Sequence, residues 1–377
     1  MKAKISNPFV TGAYLGPDYF CDRAGETKRI LNAISSGRNL TLISLRRMGK
    51  TGLLKHVKYL LENSKKSVAV IYADLLPTMN GNEMLNSIST ALYRIRKNES
   101  NFLERMLGFL ASLRPRLTMD SLTGEPSIEL RVESSAIKSG LEQILRLIPE
   151  IKQDIVFMFD EFQQIGHYPE KNIEAVLRSV IQETPAVPYI FSGSSKHMLE
   201  NMFMSAGRPF YQSSELMYLD RINEDDYSIF IRDNFDRGRI SLDEKAVKKV
   251  FEWTRLHTYY VQYVCNLLYE KGVKNTGEAE VNTVFAQIIV DFEPQFINYR
   301  NLLPSHQLRL LKAIAIENGV TQPTAGNFIG KHDLTSPSSV STSLKALTDK
   351  EMIVIDRDKL QVYDVFLSRW LEYHYKG

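Results

Sequence analysis

Cysteine is nearly absent: the 377-residue chain has two, Cys21 and Cys265. Two thiols cannot frame a disulfide-stapled fold or supply a zinc site. The seven histidines are scattered, and none stand at the HxxxH spacing that puts two ligands on one helix face. Long apolar runs are missing as well. The longest, such as residues 155–159, are strand-sized and cannot span a bilayer. Met1-Lys2-Ala3-Lys4 lacks the apolar stretch of a signal peptide, so a reducing, cytoplasmic location is expected, with no membrane partner. Excess charge is also lacking. A net +3 argues neither for nor against nucleic acid. What is present is ordinary for a soluble globular protein, with 44% apolar and 24% charged residues. The length exceeds one ordinary core, so two or three domains are expected.

The first half alternates short apolar runs with amphipathic stretches, which implies an α/β domain with a parallel sheet and helices on both faces. Strands are expected at 39–44, 68–75, 154–159, 187–192 and 215–219. Helices are expected at 49–63, 83–96, 102–113 and 134–147. Residues 118–133 are polar and poorly periodic, and read as a hairpin or insertion. After Asp220 the pattern turns helical, at 223–236, 243–254, 259–271 and 280–295. From about Leu302 it changes again. Helices at 307–317, 326–329 and 337–350 precede two short strands at 352–356 and 359–363, an order that spells a winged helix with its turn at Asp356-Arg357-Asp358-Lys359. The division expected is therefore an α/β P-loop domain at 1–220, a helical lid at 221–300 and a winged helix at 301–377.

The strand at 39–43 runs into Ser44-Leu45-Arg46-Arg47-Met48-Gly49-Lys50-Thr51, and a helix follows. This matches GxxxxGK[ST] in its strand–loop–helix context except that Ser44 stands where glycine is usual. Backbone N–H groups of such a loop, from Arg47 and Met48 through Gly52, converge on a phosphate. Gly49 lets the backbone come close to the ligand. Lys50 would place its charge between β- and γ-phosphates, and the Thr51 hydroxyl would ligate Mg²⁺. Arg46 and Arg47 read either as phosphate contacts or as solvated loop charges. A surface turn that happens to contain Gly-Lys-Thr is the plain alternative.

Ile155-Val156-Phe157-Met158-Phe159 ends in Asp160-Glu161. Ligands of open α/β sheets sit at the carboxyl ends of the strands, where these two acids stand. Asp160 would hold Mg²⁺ together with Thr51, and Glu161 would polarise the attacking water. A turn or helix cap is the alternative. The strand at 187–192 ends Ser192-Gly193-Ser194-Ser195, where Ser194 first and Ser195 second are candidates to sense the γ-phosphate, or simply to cap the next helix.

These segments together resemble the archaeal-type ATPase family of the STAND branch of AAA+-like P-loop proteins, in a bacterial member. Asn7-Pro8-Phe9 and Phe20-Cys21-Asp22-Arg23-Ala24-Gly25-Glu26 resemble its N-terminal box, and Leu45-Arg46-Arg47-Met48-Gly49-Lys50-Thr51 its phosphate loop. Phe159-Asp160-Glu161-Phe162-Gln163 resembles its acidic strand end. Ser192-Gly193-Ser194-Ser195-Lys196-His197, Arg208-Pro209-Phe210-Tyr211 and His257-Thr258-Tyr259-Tyr260-Val261-Gln262 resemble the motifs that follow. Ser336-Pro337-Ser338-Ser339-Val340 and the segment from Tyr363 to Trp370 resemble its winged-helix end. The resemblance implies ATP and Mg²⁺ as ligands and a nucleotide-driven switch. It implies Arg23 on the adenine side, His257 reaching the phosphates from the lid, and Arg208 as an arginine supplied in the same chain. Ser44, Leu45, Leu256, Thr258 and Val365 depart from the family's usual glycines and prolines.

Ser336-Pro337 is a good helix start. The helix it opens offers hydroxyls and one cation, Lys345, while Asp333, Asp349, Glu351, Asp356 and Asp358 dilute the basic residues around it. DNA binding usually needs several cations on phosphate. An intramolecular brace is therefore preferred to a DNA reader. Val340, Leu344, Leu347, Ile353, Ile355 and Val362 read as core. Tyr259, Tyr260, Tyr263, Phe366, Trp370, Tyr373 and Tyr375 read as packing rather than base-stacking or a partner surface. A partner protein for ATP-dependent output is expected, of unknown identity.

Overall fold

The computed structural model describes residues 6–95, 100–119, 124, 126–148, 151 and 153–375, with backbone alone at 100–103; the N-terminal tetrapeptide considered above lies outside them. Two compact units divide the chain. Gly12–Arg221 form one, and Ile222–Gly377 with Met1–Thr11 form the other.

The first unit is built on β1 (Leu40–Ile43), β2 (Ala69–Asp74), β5 (Ile155–Asp160), β6 (Tyr189–Gly193) and β7 (Glu215–Tyr218), with a hairpin of β3 (Arg116–Met119) and β4 (Pro126–Glu129) inserted after β2. The five main strands lie in the order β2-β5-β6-β1-β7, and every neighbouring pair is parallel. β1, β5 and β6 are buried along their whole length, which is why their sequences are continuous apolar runs. Alternate side chains still part to opposite faces. Val156, Met158 and Ile190 join Leu53, Leu54 and Val57 of the Lys50–Glu62 helix and Ile30 of the Ala24–Ser35 helix. Ile155, Phe157, Phe159, Tyr189 and Phe191 enter the larger core on the other face. Each such side chain contributes about 1.5–3 kcal/mol on burial, enough for β5 to end in a buried carboxylate.

The sheet edge and the insertion are closed by side chains. Arg29 donates to Glu215 Oε1 at 2.8 Å and to the Leu216 carbonyl at 3.2 Å, which blunts the outer edge of β7. Residues 118–133 do form a hairpin, and its β4 side leans on the Gly81–Ile95 helix. The N–H groups of Ile128, Leu130 and Val132 donate to Thr90, Asn86 and Asn82 at 3.0, 2.7 and 2.8 Å. Side chains four residues apart on one helix face thus stand in for a third strand. Where one helix was expected at 102–113, the helix Ser100–Phe109 is followed by a separate turn at Ala111–Leu113.

In the second unit the helices are Glu224–Arg237, Glu244–Thr254, Thr258–Lys271 and Glu278–Leu302, joined by the parallel pair β8 (Ser241–Leu242) and β9 (Asn275–Thr276). Asn223 and Asp243 cap the first two, each accepting from backbone N–H groups of the first turn. The expected stop near Gln295 is absent, and the helix runs through Pro294 to Leu302. Pro294 leaves the Val290 carbonyl without its helical donor, and Val290 is exposed, so water can serve it.

The remainder is a winged helix. Ser305–Ile316, Gly326–Lys331 and Pro337–Asp349 precede β10 (Ile353–Asp356) and β11 (Lys359–Val362), which pair antiparallel, and Val320 bridges to Leu360. Ser336 caps its helix by accepting from Ser339 N–H at 3.2 Å. Arg357 and Asp358 both have positive φ, as a tight two-residue wing turn requires. Most of the expected core residues are buried, but Leu344 is half-buried and Ile355 is 70% exposed on the outer side of the wing. The final helix, Val365–Tyr375, packs Phe366 among Trp253, Tyr260, Tyr263 and Phe292, while Tyr373 stays exposed. Among the described residues no helix is long and apolar enough to cross a membrane, and both cysteines are buried and unpaired.

Candidate functional site

The loop between β1 and the Lys50–Glu62 helix departs from the sheet at Ser44, whose N–H donates to the Gly193 carbonyl at 3.3 Å. Ser44 is buried, its hydroxyl donates to the Leu45 carbonyl at 3.0 Å, and its φ is not among the positive values. The backbone here does not demand glycine, which is why serine is tolerated. Glycine is needed further on, at Gly49, where φ is 88°. Arg47, also at positive φ (67°), curls the loop two residues earlier and is exposed, as is Arg46. Met48 is buried beneath the loop. Arg23 reaches it from the N-terminal box. The guanidinium is 3% exposed, donates to Glu26 at 2.8 Å and donates to the Met48 carbonyl at 3.2 Å. Phe20, from the same box, stacks on His56 at 4.2 Å and lies beside Gly52.

Lys50 and Thr51 occupy the first turn of the helix, and β5 brings Asp160 and Glu161 to meet them. The Lys50 ammonium is 2.6 Å from Glu161 Oε1 and 3.7 Å from Asp160 Oδ1. The Thr51 hydroxyl donates to Asp160 Oδ2 at 2.7 Å. Asp160 is 2% exposed. It also accepts from Tyr72 of β2 at 2.9 Å and from Ser192 of β6. Burial alone would push the Asp160 carboxyl up, but Lys50 and the Ser192, Thr51 and Tyr72 hydroxyls outweigh it and hold the carboxyl below the ordinary range. Burial and the facing acids, Asp160 first, drive the Tyr72 phenol far above its usual value, so it stays a donor.

Glu161 sits in the left-handed region, φ 53°, an uncommon conformation for a non-glycine residue and one that clusters at functional sites. Its Oε2 accepts from Ser194 at 2.8 Å and from Gln163 at 2.5 Å. Burial raises this carboxyl, while the Lys50 charge and the Lys50 and Gln163 bonds lower it further than burial lifts it. Arg46 donates to the Ser194 hydroxyl at 3.3 Å, which ties the phosphate loop to β6.

The structure thus brings together Lys50, Thr51, Asp160, Glu161 and Ser194, with Arg23, Met48 and Gly49 in the loop's support. Ser195 is the residue before the Lys196–Met204 helix and makes no side-chain cap there. Arg208 is engaged elsewhere, by Glu174. His257 belongs to the second unit, where its ring is buried 3.8 Å from Asp356. Three residues of the cluster were not singled out from the sequence. Tyr72 needed the pairing of β2 with β5, Gln163 needed the tight turn after Glu161, and Ser192 needed the register of β6 against its neighbours.

No curated protein matches the sequence. A family described as "Probable winged helix domain" matches residues 294–373. Among solved structures, the chain is similar to the Walker-type ATPase paby2304 of Pyrococcus abyssi, at 16% identity and a TM-score of 0.65 over 97% of this chain and 99% of that one. It is similar to the ORC2 protein of Aeropyrum pernix in its ADPNP and ADP complexes, at 14% identity and 0.56 over 99% of each chain. It is also similar to the Orc1 protein of Aeropyrum pernix in complex with DNA, at 14% identity and 0.53 over 98% of this chain and 97% of that one. The chain therefore has a Walker-type ATPase fold, a five-stranded parallel sheet with helices around it, followed by helices and a C-terminal winged helix.

Proposed function

We propose that this chain binds ATP with Mg²⁺, hydrolyses it slowly and works as a nucleotide-dependent switch, as a bacterial member of the archaeal-type ATPase family. One observation carries the reading: a lysine, a threonine, two acids and a serine from the ends of β1, β5 and β6 meet in a single hydrogen-bonded cluster. The structural likeness to an ORC2 protein in ADPNP and ADP complexes supports the choice of adenine nucleotide.

Each residue then has a task. The N–H groups of Arg47, Met48, Gly49 and Gly52 and the start of the helix cradle phosphate, with Arg23 fixing the loop through the Met48 carbonyl. Lys50, now neutralised by both carboxylates, carries the charge for β- and γ-phosphates. Thr51 and Asp160 fit a small hard cation. A hydroxyl and a carboxylate oxygen 2.7 Å apart, without any cluster of three or more acidic, His or Cys side chains among the described residues, suit Mg²⁺ shared with phosphate oxygens. Mg²⁺ would supply charge neutralisation at those phosphates. Glu161, kept ionised, orients and polarises water, and Ser194 beside it senses the γ-phosphate.

The proposed division is 1–220 for the ATPase domain, 221–300 for the lid and 301–377 for the winged helix; the compact units part at Arg221 and place Met1–Thr11 with the C-terminal side. The lid and winged helix lie in one unit and share buried bonds through Arg255 and Arg369, which supports the brace role. Arg208 and His257, held by Glu174 and facing Asp356, are read as structural. A second reading, a DNA-associated ATPase, draws on the likeness to a DNA-bound Orc1 protein. Against it, the exposed face of Pro337–Asp349 offers Ser338, Ser341, Thr342, Thr348 and one cation, Lys345. DNA affinity falling steeply with salt would favour that second reading.

Phosphate release tests the first. Wild type is expected to turn over ATP at a low rate, and Glu161→Gln to lose turnover by about 100-fold while still binding nucleotide. A Glu161→Gln variant as fast as wild type would remove Glu161 from the chemistry and leave a nucleotide-stabilised scaffold.

A further inference from the structure

We propose that Gln163 is a positioning residue that holds the Glu161 carboxylate against Ser194 and Lys50, and that Gly193 keeps open the space in which it does so. The inference rests on the nucleotide-site reading of Glu161 and deepens it.

Gln163 is 5% exposed and lies in the turn Phe162–His167, two residues beyond Glu161. Its amide nitrogen donates to Glu161 Oε2 at 2.5 Å and lies 3.5 Å from the Ser194 hydroxyl. Its other end, Oε1, is buried with no hydrogen-bond partner. The reverse amide orientation would set Oε1 against a carboxylate, so the charge of Glu161 dictates which end faces it. A fold gains nothing from an orphaned buried acceptor; it costs stability. The cost is borne for the bond at the opposite end.

The surroundings are shaped to admit this side chain. A Cβ built on Gly193 would fall 1.9 Å from Gln163 Oε1 and 2.8 Å from Leu199 Cδ1. No side chain fits at residue 193 while Gln163 and Leu199 stay where they are. Gly193 has no positive φ, so its backbone conformation is not the reason for glycine there. The neighbour is.

Glu161 is consequently gripped on both oxygens. Lys50 takes Oε1, while Ser194 and Gln163 share Oε2. When phosphate draws Lys50 away, Gln163 and Ser194 remain to fix the carboxylate's direction. They also favour its ionised form, since both bonds are made to the charged group. Ser194 then has a second bond to spend on a γ-phosphate, while Gln163 has only the positioning task.

The test is Gln163→Met, which keeps length and apolar bulk and removes the donor. Steady-state ATP turnover, nucleotide-dependent melting and the pH–rate profile are measured beside wild type and Gln163→Glu. The expected result for Gln163→Met is a kcat lower by roughly tenfold, the loss of one hydrogen bond to a charged group, with KM and the nucleotide melting shift retained. The acid limb of its profile moves to higher pH. Gln163→Glu, which sets a second carboxylate against Glu161, moves that limb further in the same direction. Unchanged kcat and an unmoved acid limb would overturn the proposal. So would a joint loss of kcat and of the nucleotide melting shift, which marks a merely structural role. If wild type binds ATP but does not turn it over, the catalytic reading of Glu161 fails separately. The latch is then read by carbon NMR titration of the Glu161 carboxyl, identified by its loss in Glu161→Gln. A higher midpoint in Gln163→Met supports the latch, and an unchanged midpoint refutes it.

Discussion

In the first unit Asp160 lies buried among Lys50, Thr51, Tyr72 and Ser192; in the second, Arg255 lies buried with bonds to the Val362 carbonyl at 3.1 Å, Ser368 at 2.7 Å and Asn318 at 3.2 Å. Both charges are taken out of water, and both remain charged at neutral pH. Burial, then the neighbouring Arg369, brings the Arg255 guanidinium down to about 10. The difference is in the partners. Asp160 is satisfied by mobile side-chain donors, two of which, Lys50 and Thr51, carry the groups that a phosphate and a cation would claim. Arg255 is spent largely on fixed groups of the winged helix, a strand carbonyl and a helix hydroxyl, that no small ligand displaces. A buried charge whose partners can be exchanged suits a site, whereas one locked to backbone suits a joint.

Substitutions can break this comparison. Arg255→Ala is expected to cost the most, roughly 3 kcal/mol in urea unfolding, because it strands a buried carbonyl and hydroxyl at once. A cost near zero would mean the joint does not depend on Arg255. Lys50→Ala comes next, at about 2 kcal/mol at pH 7 without ligand, since it leaves two buried carboxylates facing each other.

That variant also sharpens the comparison through pH. In wild type the depressed Asp160 and Glu161 carboxyls contribute stability that is fully present above the unfolded value of about 4 and lost as pH falls through their lower folded values. Without Lys50 the carboxyls rise above that value, so the sign reverses. The deficit of Lys50→Ala relative to wild type is expected to shrink between pH 7 and pH 5. Urea midpoints across that range decide it, and a constant deficit would mean the lysine does not hold the acids ionised.

Smaller effects follow. Tyr72→Phe removes one of the hydroxyls on Asp160 and is expected to cost about 1 kcal/mol. Arg23→Met frees the Met48 carbonyl and is expected to weaken nucleotide binding about threefold by titration calorimetry while Glu161 chemistry is unaffected. Equal affinity in that variant would show that the loop holds its shape unaided.

The halves of the Asp160 cluster differ in how far they could be read before the fold was known. Lys50, Thr51, Asp160 and Glu161 announce themselves because each follows a strand-sized apolar run and a turn, patterns local in sequence. Tyr72 does not, since its hydroxyl meets Asp160 only because β2 pairs with β5 in the register Asp74 to Asp160. Gln163 stands in a quoted motif, yet nothing in its spacing tells that it doubles back onto Glu161. The helical polar stripe Asn82, Asn86 and Thr90 looks like a solvent face but receives the N–H groups of a strand. Ser44 looked like a defect in the loop, whereas its ordinary φ makes it a neutral choice. Pro294 looked like a stop, but the exposed Val290 carbonyl lets the helix pass. In each case the missing information was tertiary.

The claim that Lys50 is an exchangeable partner is tested most directly by thermal melting of wild type and Lys50→Ala, each with ATP-Mg²⁺, with ADP-Mg²⁺ and without ligand. A nucleotide that binds only the folded protein stabilises it by about 2.7 kcal/mol at a hundred times its dissociation constant. A raised midpoint with nucleotide in wild type, and none in Lys50→Ala, is the result expected. No shift in nucleotide-free wild type, or an equal shift in both proteins, would contradict a phosphate site built on Lys50.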